Sequence, residues 1–190
     1  TVYRSVDEQH LVFLNRTRET QPDRQTLVEY FADRHWRHRP LEDCVRSGME
    51  LAERAGIPFM WLTVTNAGAS EVCKAALAVR GIDDAALSEG YLCDPATKSD
   101  LRILARPGVL LRLSRNLDKQ RGFVNGALAE VRESLDGNAV FTARLVGTGN
   151  MVLVHPMKDA DGGQFLPCCY GYATTIRRAQ GADMYHGCVY

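Results

Sequence analysis

Apolar positions along the chain follow two periods, 3.6 in some stretches and 2 in others. Residues 10–14 (His-Leu-Val-Phe-Leu) form a short apolar run that reads as a strand. Pro22 and Asp23 then open a helix with Leu27, Val28 and Phe31 on one face. Leu41, Val45, Met49 and Ala52 repeat the helical spacing over residues 41–55, and Gly56 followed by Pro58 is a stop signal. Residues 59–64 (Phe-Met-Trp-Leu-Thr-Val) are almost continuously apolar, as in a strand buried on both faces. That strand ends in Thr65-Asn66, and Val72, Ala75, Ala76 and Val79 supply the next helical face up to Gly81. Strand, polar turn and helix make a βα unit. Residues 82–106 have no clear period and read as a surface connection.

The second half is richer in strands. An apolar strand follows Pro107-Gly108 and ends in Arg115-Asn116; Asn125-Gly126 is a turn signal, since both residues tolerate positive φ. Residues 128–132 alternate, Asp136-Gly137 marks a hairpin, and further strands are expected at 140–146 and 151–154. Three or four short antiparallel strands over 127–156 cannot stand alone and must lean on the rest of the domain. A Gly- and Asp-rich loop at 158–164 leads into an apolar strand at 165–170, and residues 185–190 read as another buried strand. The expected class is α/β with a small antiparallel β insert.

Composition narrows this only slightly. With 190 residues, 45% hydrophobic and no net charge, the chain suits one good-sized soluble domain. No run reaches the roughly 18 apolar residues of a membrane helix. The chain opens at Thr1 in a polar run with no signal-peptide pattern, and is expected to be a piece of a longer polypeptide. Six scattered cysteines without a Cys-x-x-Cys read as buried, reduced thiols of an intracellular protein, and adjacent Cys168 and Cys169 as opposite faces of one strand. His35, His38 and Cys44 lack a fourth ligand at zinc-like spacing, so no metal is expected. Five acids against Lys98 in 81–100 precede six bases against Asp118 in 101–121. The basic band suits a phosphate backbone, or the two bands pair with each other.

The densest chemistry lies near the end. Thr174, Thr175, Arg177, Arg178 and Gln180 crowd two hydroxyls, two guanidinium groups and an amide into seven residues, and Gly181 permits close backbone approach. Leu166-Pro167, then Tyr172-Ala173-x-Thr175-Ile176-x-x-x-Gln180-Gly181, resembles motif V of superfamily 1 DNA helicases, in the 5′→3′ branch of petite-integration-frequency and RecD-like proteins. That motif usually reads Leu-Pro-Leu, then Ala-x-Thr-Ile-His-Lys-Ser-Gln-Gly; Arg177, Arg178 and Ala179 depart from it here. The strand before Asn116 and the run Gly122-Phe-Val-Asn-Gly126 with Val131 are similar to a second family segment, which has Val-Met-Leu in its strand and Gly where Ala129 stands. Residues 10–23 resemble motif IV, an apolar stretch followed by an Arg.

The resemblance covers nearly the whole chain and implies a RecA-like (P-loop NTPase-like) second domain, 2A, at 1–126 and 157–190, with an SH3-like insert, 2B, at 127–156. It implies a nucleic-acid face built from Thr65, Asn66, Asn116, Asn125, Thr174, Thr175, Arg177 and Arg178. From the residues alone, Asn66 also serves as N-cap of its helix. It implies Gln180 and Gly181 at the nucleotide, and Arg18, with Arg16 as the alternative, as the finger toward the γ-phosphate of ATP. Implied partners are single-stranded DNA and the N-terminal RecA-like domain of the same polypeptide, with no membrane. No Gly-x-x-x-x-Gly-Lys-Ser/Thr pattern occurs, so ATP and Mg²⁺ would be held with that absent domain and the chain alone would be inactive. A degenerate, non-catalytic binding module is the alternative.

Overall fold

Where the residues around His10 were expected as a strand, the backbone is helical. The computed structural model describes residues 8–32, 39–180 and 186–190, and contacts divide the chain into two units, Thr1–Arg39 and Pro40–Tyr190. In the first, α1 (Glu8–Glu19) absorbs the apolar run, and α2 (Arg24–Tyr30) follows, capped by the Asp23 carboxylate accepting from the Thr26 N–H. No Gly or Pro interrupts residues 8–19, while Glu8 in the first turn and Arg16 and Arg18 in the last suit the helix dipole. A short apolar run does not by itself separate strand from helix, and the flanks decide. Phe13 stacks on Tyr30 with ring centroids 3.8 Å apart, and neither helix buries a residue fully.

The second unit opens with α3 (Leu41–Ala55), which ends at Gly56 with φ 65° as the spacing predicts. Next come β1 (Phe59–Thr63) and α4 (Asn66–Val79). Gly48 lets α3 lie on β1: a Cβ there would stand 2.9 Å from the Phe59 ring. The stretch expected as a surface excursion holds α5 (Asp84–Ser88), β2 (Tyr91–Leu92), a 3₁₀ turn at Pro95–Thr97 and β3 (Arg102–Ile103). It is not superficial. Cys93, Asp94, Thr97, Leu101, Ile103, Leu104 and Ala105 are all buried. Strands of two residues are too short to display a period, which hid them.

Then follow β4 (Leu110–Leu113), β5 (Leu128–Asp136), β6 (Val140–Leu145), β7 (Met151–Val154), β8 (Met157–Lys158), β9 (Gln164–Phe165), β10 (Cys168–Tyr170), β11 (Ala173–Thr175), α6 (Ile176–Ala179) and β12 (His186–Val189). β1 is the centre of a parallel sheet ordered β11-β1-β12, which explains its continuous apolar run. β12 lies at the edge of that sheet and is largely exposed, not the buried strand expected. The antiparallel sheet runs β10-β4-β5-β6-β7, so the strands of 127–156 hydrogen-bond to β4 and, beyond it, reach β10. Gly137, with φ 52°, turns β5 into β6 where Asp136-Gly137 signalled a hairpin.

Two residues carry the chain from β10 to β11, between the sheets. Gly171 is required at that crossing because a Cβ would sit 2.9 Å from the Leu111 carbonyl. Tyr170 donates its hydroxyl to the Arg102 carbonyl (2.9 Å) and accepts from the Leu104 N–H (3.0 Å); Tyr172 accepts from the Leu110 N–H (3.1 Å). Burial pushes both phenols above their ordinary pKa, so these bonds persist at any physiological pH.

Among the described residues, no helix is long and apolar enough to cross a membrane. Nor are three His, Cys, Asp or Glu side chains of the described residues grouped to hold a metal ion. His35 and His38 lie outside the described residues.

Candidate nucleic-acid interface

Parallel pairing of β1 with β11 sets Leu62 opposite Thr174 and Thr63 opposite Thr175. The turns after both strands therefore open on one edge of the sheet, the carboxyl end where open α/β sheets place their ligands. Thr63, fully buried, donates its hydroxyl to the Thr65 carbonyl (2.8 Å) and ties the first turn down. Thr65 accepts the Gly68 N–H at 3.0 Å and is the cap of α4, so Asn66 is not the N-cap but the first helical residue. A hydroxyl spans the Ncap-to-N3 distance as well as an amide does, and the chain enters the helix one residue earlier than expected. Thr175 caps α6 in the same manner, accepting the Arg178 N–H at 3.4 Å. Each hydroxyl keeps its O–H to donate elsewhere.

Between these turns lies a cleft of about 40 Å³ whose lining includes Asn66, Ser70, Arg112, Thr174, Thr175 and Arg178. Arg178 is anchored: it donates to the carbonyls of Thr97 (2.6 Å) and Ala96 (3.2 Å) in the 3₁₀ turn. That turn is held in place by Asp94, whose carboxylate has no exposed surface. Ser114 (2.6 Å) and Arg115 (2.5 and 2.8 Å) donate to it, as does the Ala96 N–H (2.9 Å). Burial pushes the Asp94 carboxyl up, but these donors outweigh it and leave its pKa below the ordinary value. The acidic and basic bands thus meet at this pair, buried on the Asp94 side and half-exposed on the Arg115 side. Sequence reasoning missed Asp94 because a lone acid in an aperiodic stretch gives no signal of burial.

The overlay on solved proteins decides the fold. The whole chain matches the Pif1 helicase from Bacteroides in complex with ADP-AlF3 and ssDNA, with TM-score 0.60 and 16% identity. It matches the Pif1 helicase from Candida albicans with TM-score 0.57 and 15% identity, again over its full length. A structure from work on DNA unwinding at forked dsDNA by two coordinating Pif1 helicases gives TM-score 0.64 at 15% identity. The chain has a Pif1 helicase fold. It spans 44%, 49% and 42% of those chains respectively, less than half of each. No family model matches the chain, and no curated protein matches it.

On this Pif1-like frame the expected residues fall into separate groups. Thr65, Asn66, Thr174, Thr175 and Arg178 stand together at the sheet edge just described. Arg177 lies beside them on α6, exposed and without a hydrogen-bond partner among the described residues. Asn116 and Asn125 are brought together elsewhere: the Asn116 side chain accepts the Asn125 N–H at 2.9 Å, and the Gly126 N–H meets the Leu113 carbonyl at 2.8 Å with φ 90°. That bond latches the turn between β4 and β5. Gln180 is exposed at the C-cap of α6, and Gly181 lies outside the described residues. Arg16 and Arg18 belong to the first unit, both exposed in the last turn of α1. Arg16 helps hold the Asp23 carboxyl below its ordinary pKa, after the Thr26 N–H, and Arg18 reaches Asn15 at 3.5 Å. Arg112 is a charge inside the strand Leu-Leu-Arg-Leu, and nothing in that pattern tells a solvated base from one turned inward.

Proposed function

We propose that this chain is the C-terminal half of an ATP-dependent DNA helicase that moves 5′→3′ on single strands. On this reading residues 1–126 and 157–190 are RecA-like domain 2A, and residues 127–156 are its SH3-like 2B insert. The observation that carries it is the full-length match to the Pif1 fold, taken with the convergence of Thr65, Asn66, Thr174 and Thr175 at one sheet edge.

Hydroxyl and amide donors at strand ends, with Arg177 beside them, are suited to phosphate oxygens and carry no sequence information. An N-terminal RecA-like domain of the same polypeptide would hold the nucleotide, with Mg²⁺ neutralising its phosphates. This chain's part is Arg18, aimed at charge developing on the γ-phosphate, and Gln180-Gly181, linking the strand-end grip to that cleft. Opening and closing of the two halves would alternate the grip on the strand. The setting is intracellular.

Fluorescence anisotropy with a labelled oligothymidylate tests the reading. Weak binding is expected, declining steeply with salt, about −0.7 in log–log slope per phosphate contact. Arg177→Ala with Arg178→Ala weakens it further; binding equal to the parent at low salt removes both arginines from the interface. A non-catalytic module is the second reading, favoured by the engagement of Arg178 with the Ala96 and Thr97 carbonyls. A P-loop encoded upstream in the same gene decides for the motor.

A further inference from the structure

We propose that Arg112 is the inner ligand of an oxyanion subsite in the cleft between β11 and α4, and that its anion is a phosphodiester of single-stranded nucleic acid. The assignment of the nucleic acid rests on the function proposed above; the subsite itself does not.

Arg112 extends from β4 toward β1, where its Nη2 lies 3.1 Å from the Met60 sulfur. Its Nε is closed off from solvent and has no hydrogen-bond partner. Among the described residues no carboxylate pairs with it. The ionisable groups that bear on it are the Cys169 and Cys73 thiols and a second cation, Arg178. Burial holds both cysteines as neutral thiols, Cys73 pushed up to about 12, so neither supplies the missing charge. A guanidinium whose Nε is sealed off, and which faces a second guanidinium, two neutral thiols and a thioether, is a costly arrangement unless an anion completes it.

The walls match such a guest. Thr174 and Thr175 contribute hydroxyls, Asn66 an amide, and Lys98 and Arg178 further positive charge. The two bonds Arg178 makes to carbonyls orient its guanidinium and leave donors over. Asp100 accepts the Ser70 hydroxyl at 2.6 Å, so Ser70 has no proton left for the guest. Size then decides between guests. A volume of about 40 Å³ is that of roughly three waters by the same measure, enough for one tetrahedral oxyanion and far too little for a nucleobase. Its position at the carboxyl ends of β1 and β11 puts that anion in the path of a strand crossing the face.

Arg112→Met in the 190-residue chain is the first variant, since it keeps an unbranched stem beside Met60. Thermal unfolding is compared in chloride and in inorganic phosphate at equal ionic strength, and binding of oligothymidylate and of ATP is measured across salt. Phosphate is expected to raise Tm for the parent and not for Arg112→Met. The variant's oligothymidylate slope should move toward zero by about 0.7, with affinity down about fivefold at 0.1 M salt. An unchanged phosphate shift or an unchanged slope overturns the role of Arg112. A phosphate shift lost in the variant, with no oligothymidylate binding by the parent, keeps the subsite and overturns the nucleic-acid reading. Dependence on Arg112 for ATP instead of oligothymidylate also overturns that assignment. No response of the parent to either phosphate or oligothymidylate overturns both. Arg112→Lys keeps the cation without the planar fork. It should retain less than half of the phosphate shift, and a full shift overturns the guanidinium's part even if the Met variant does not fold.

Discussion

Asp94 makes the strongest case at the scale of single residues, because a carboxylate with no exposed surface must be answered by donors, and four reach it. Its pKa is depressed below the ordinary 3.8. The stability this confers is therefore present above about pH 4 and lost as pH falls through the lower folded value. Asp94→Asn should unfold at a lower Tm at neutral pH, by about 2 kcal/mol after discounting the half-exposed Arg115. The gap to the parent should narrow on acidification below pH 4, and a gap constant from pH 7 to pH 3 would mean the charge is not what stabilises. Arg112 is the opposite case. Without anion, Arg112→Met is expected to be neutral or stabilising by about 1 kcal/mol, read by denaturant midpoint, because it replaces an uncompensated, partly buried cation with an apolar side chain. Neither residue could be assigned from the chain alone. An acid in an aperiodic stretch and a single base within a short strand look alike whether buried or solvated.

At the scale of elements, what was legible followed from clean periods and punctuation. α3 ends at Gly56 as read, β1 is the central strand its nearly unbroken apolar run suits, and the chain reverses at Asp136-Gly137 as expected, with register shifts in the β5–β6 pairing. The run around His10 is helical because four apolar residues fit either period, and helix-favouring flanks outweigh them. β12 failed because apolar content predicts a strand without saying whether it is central or at an edge. The need for Gly171 is invisible in the sequence: only the crossing of β10 and β11 over Leu111 excludes a Cβ. Gly171→Ala should cost about 2 kcal/mol through displacement of the β4 backbone, read as a lowered denaturant midpoint. An unchanged midpoint would show that the crossing has room to relax. Gly48→Ala meets a ring, not a backbone, and should cost less, about 1 kcal/mol, since Phe59 can tilt.

On the scale of the whole molecule, the candidate site is an outcome of topology. Thr63 and Thr175 are far apart in sequence, and parallel pairing of their strands sets them side by side, with the Thr65-Asn66 turn just beyond. The motifs announced that they belonged together, yet only the sheet shows that Asn116 and Asn125 serve a different turn. Asn116→Ala is accordingly expected to loosen that turn more than it weakens nucleic-acid binding, with faster amide exchange at Asn125 and oligothymidylate affinity within about twofold of the parent. A tenfold loss of affinity with unchanged exchange would return Asn116 to the interface.

The link between the two sheets has a mechanical consequence. Three peptide units join the last residue of β10 to the first of β11, so those ends can never separate by more than about 11 Å. With both linker-flanking tyrosines pinned to backbone by hydroxyl bonds, there is almost no slack to draw out. Load applied to the strand-end turns of the parallel sheet is handed straight to β4 and its antiparallel neighbours, as through a stiff lever.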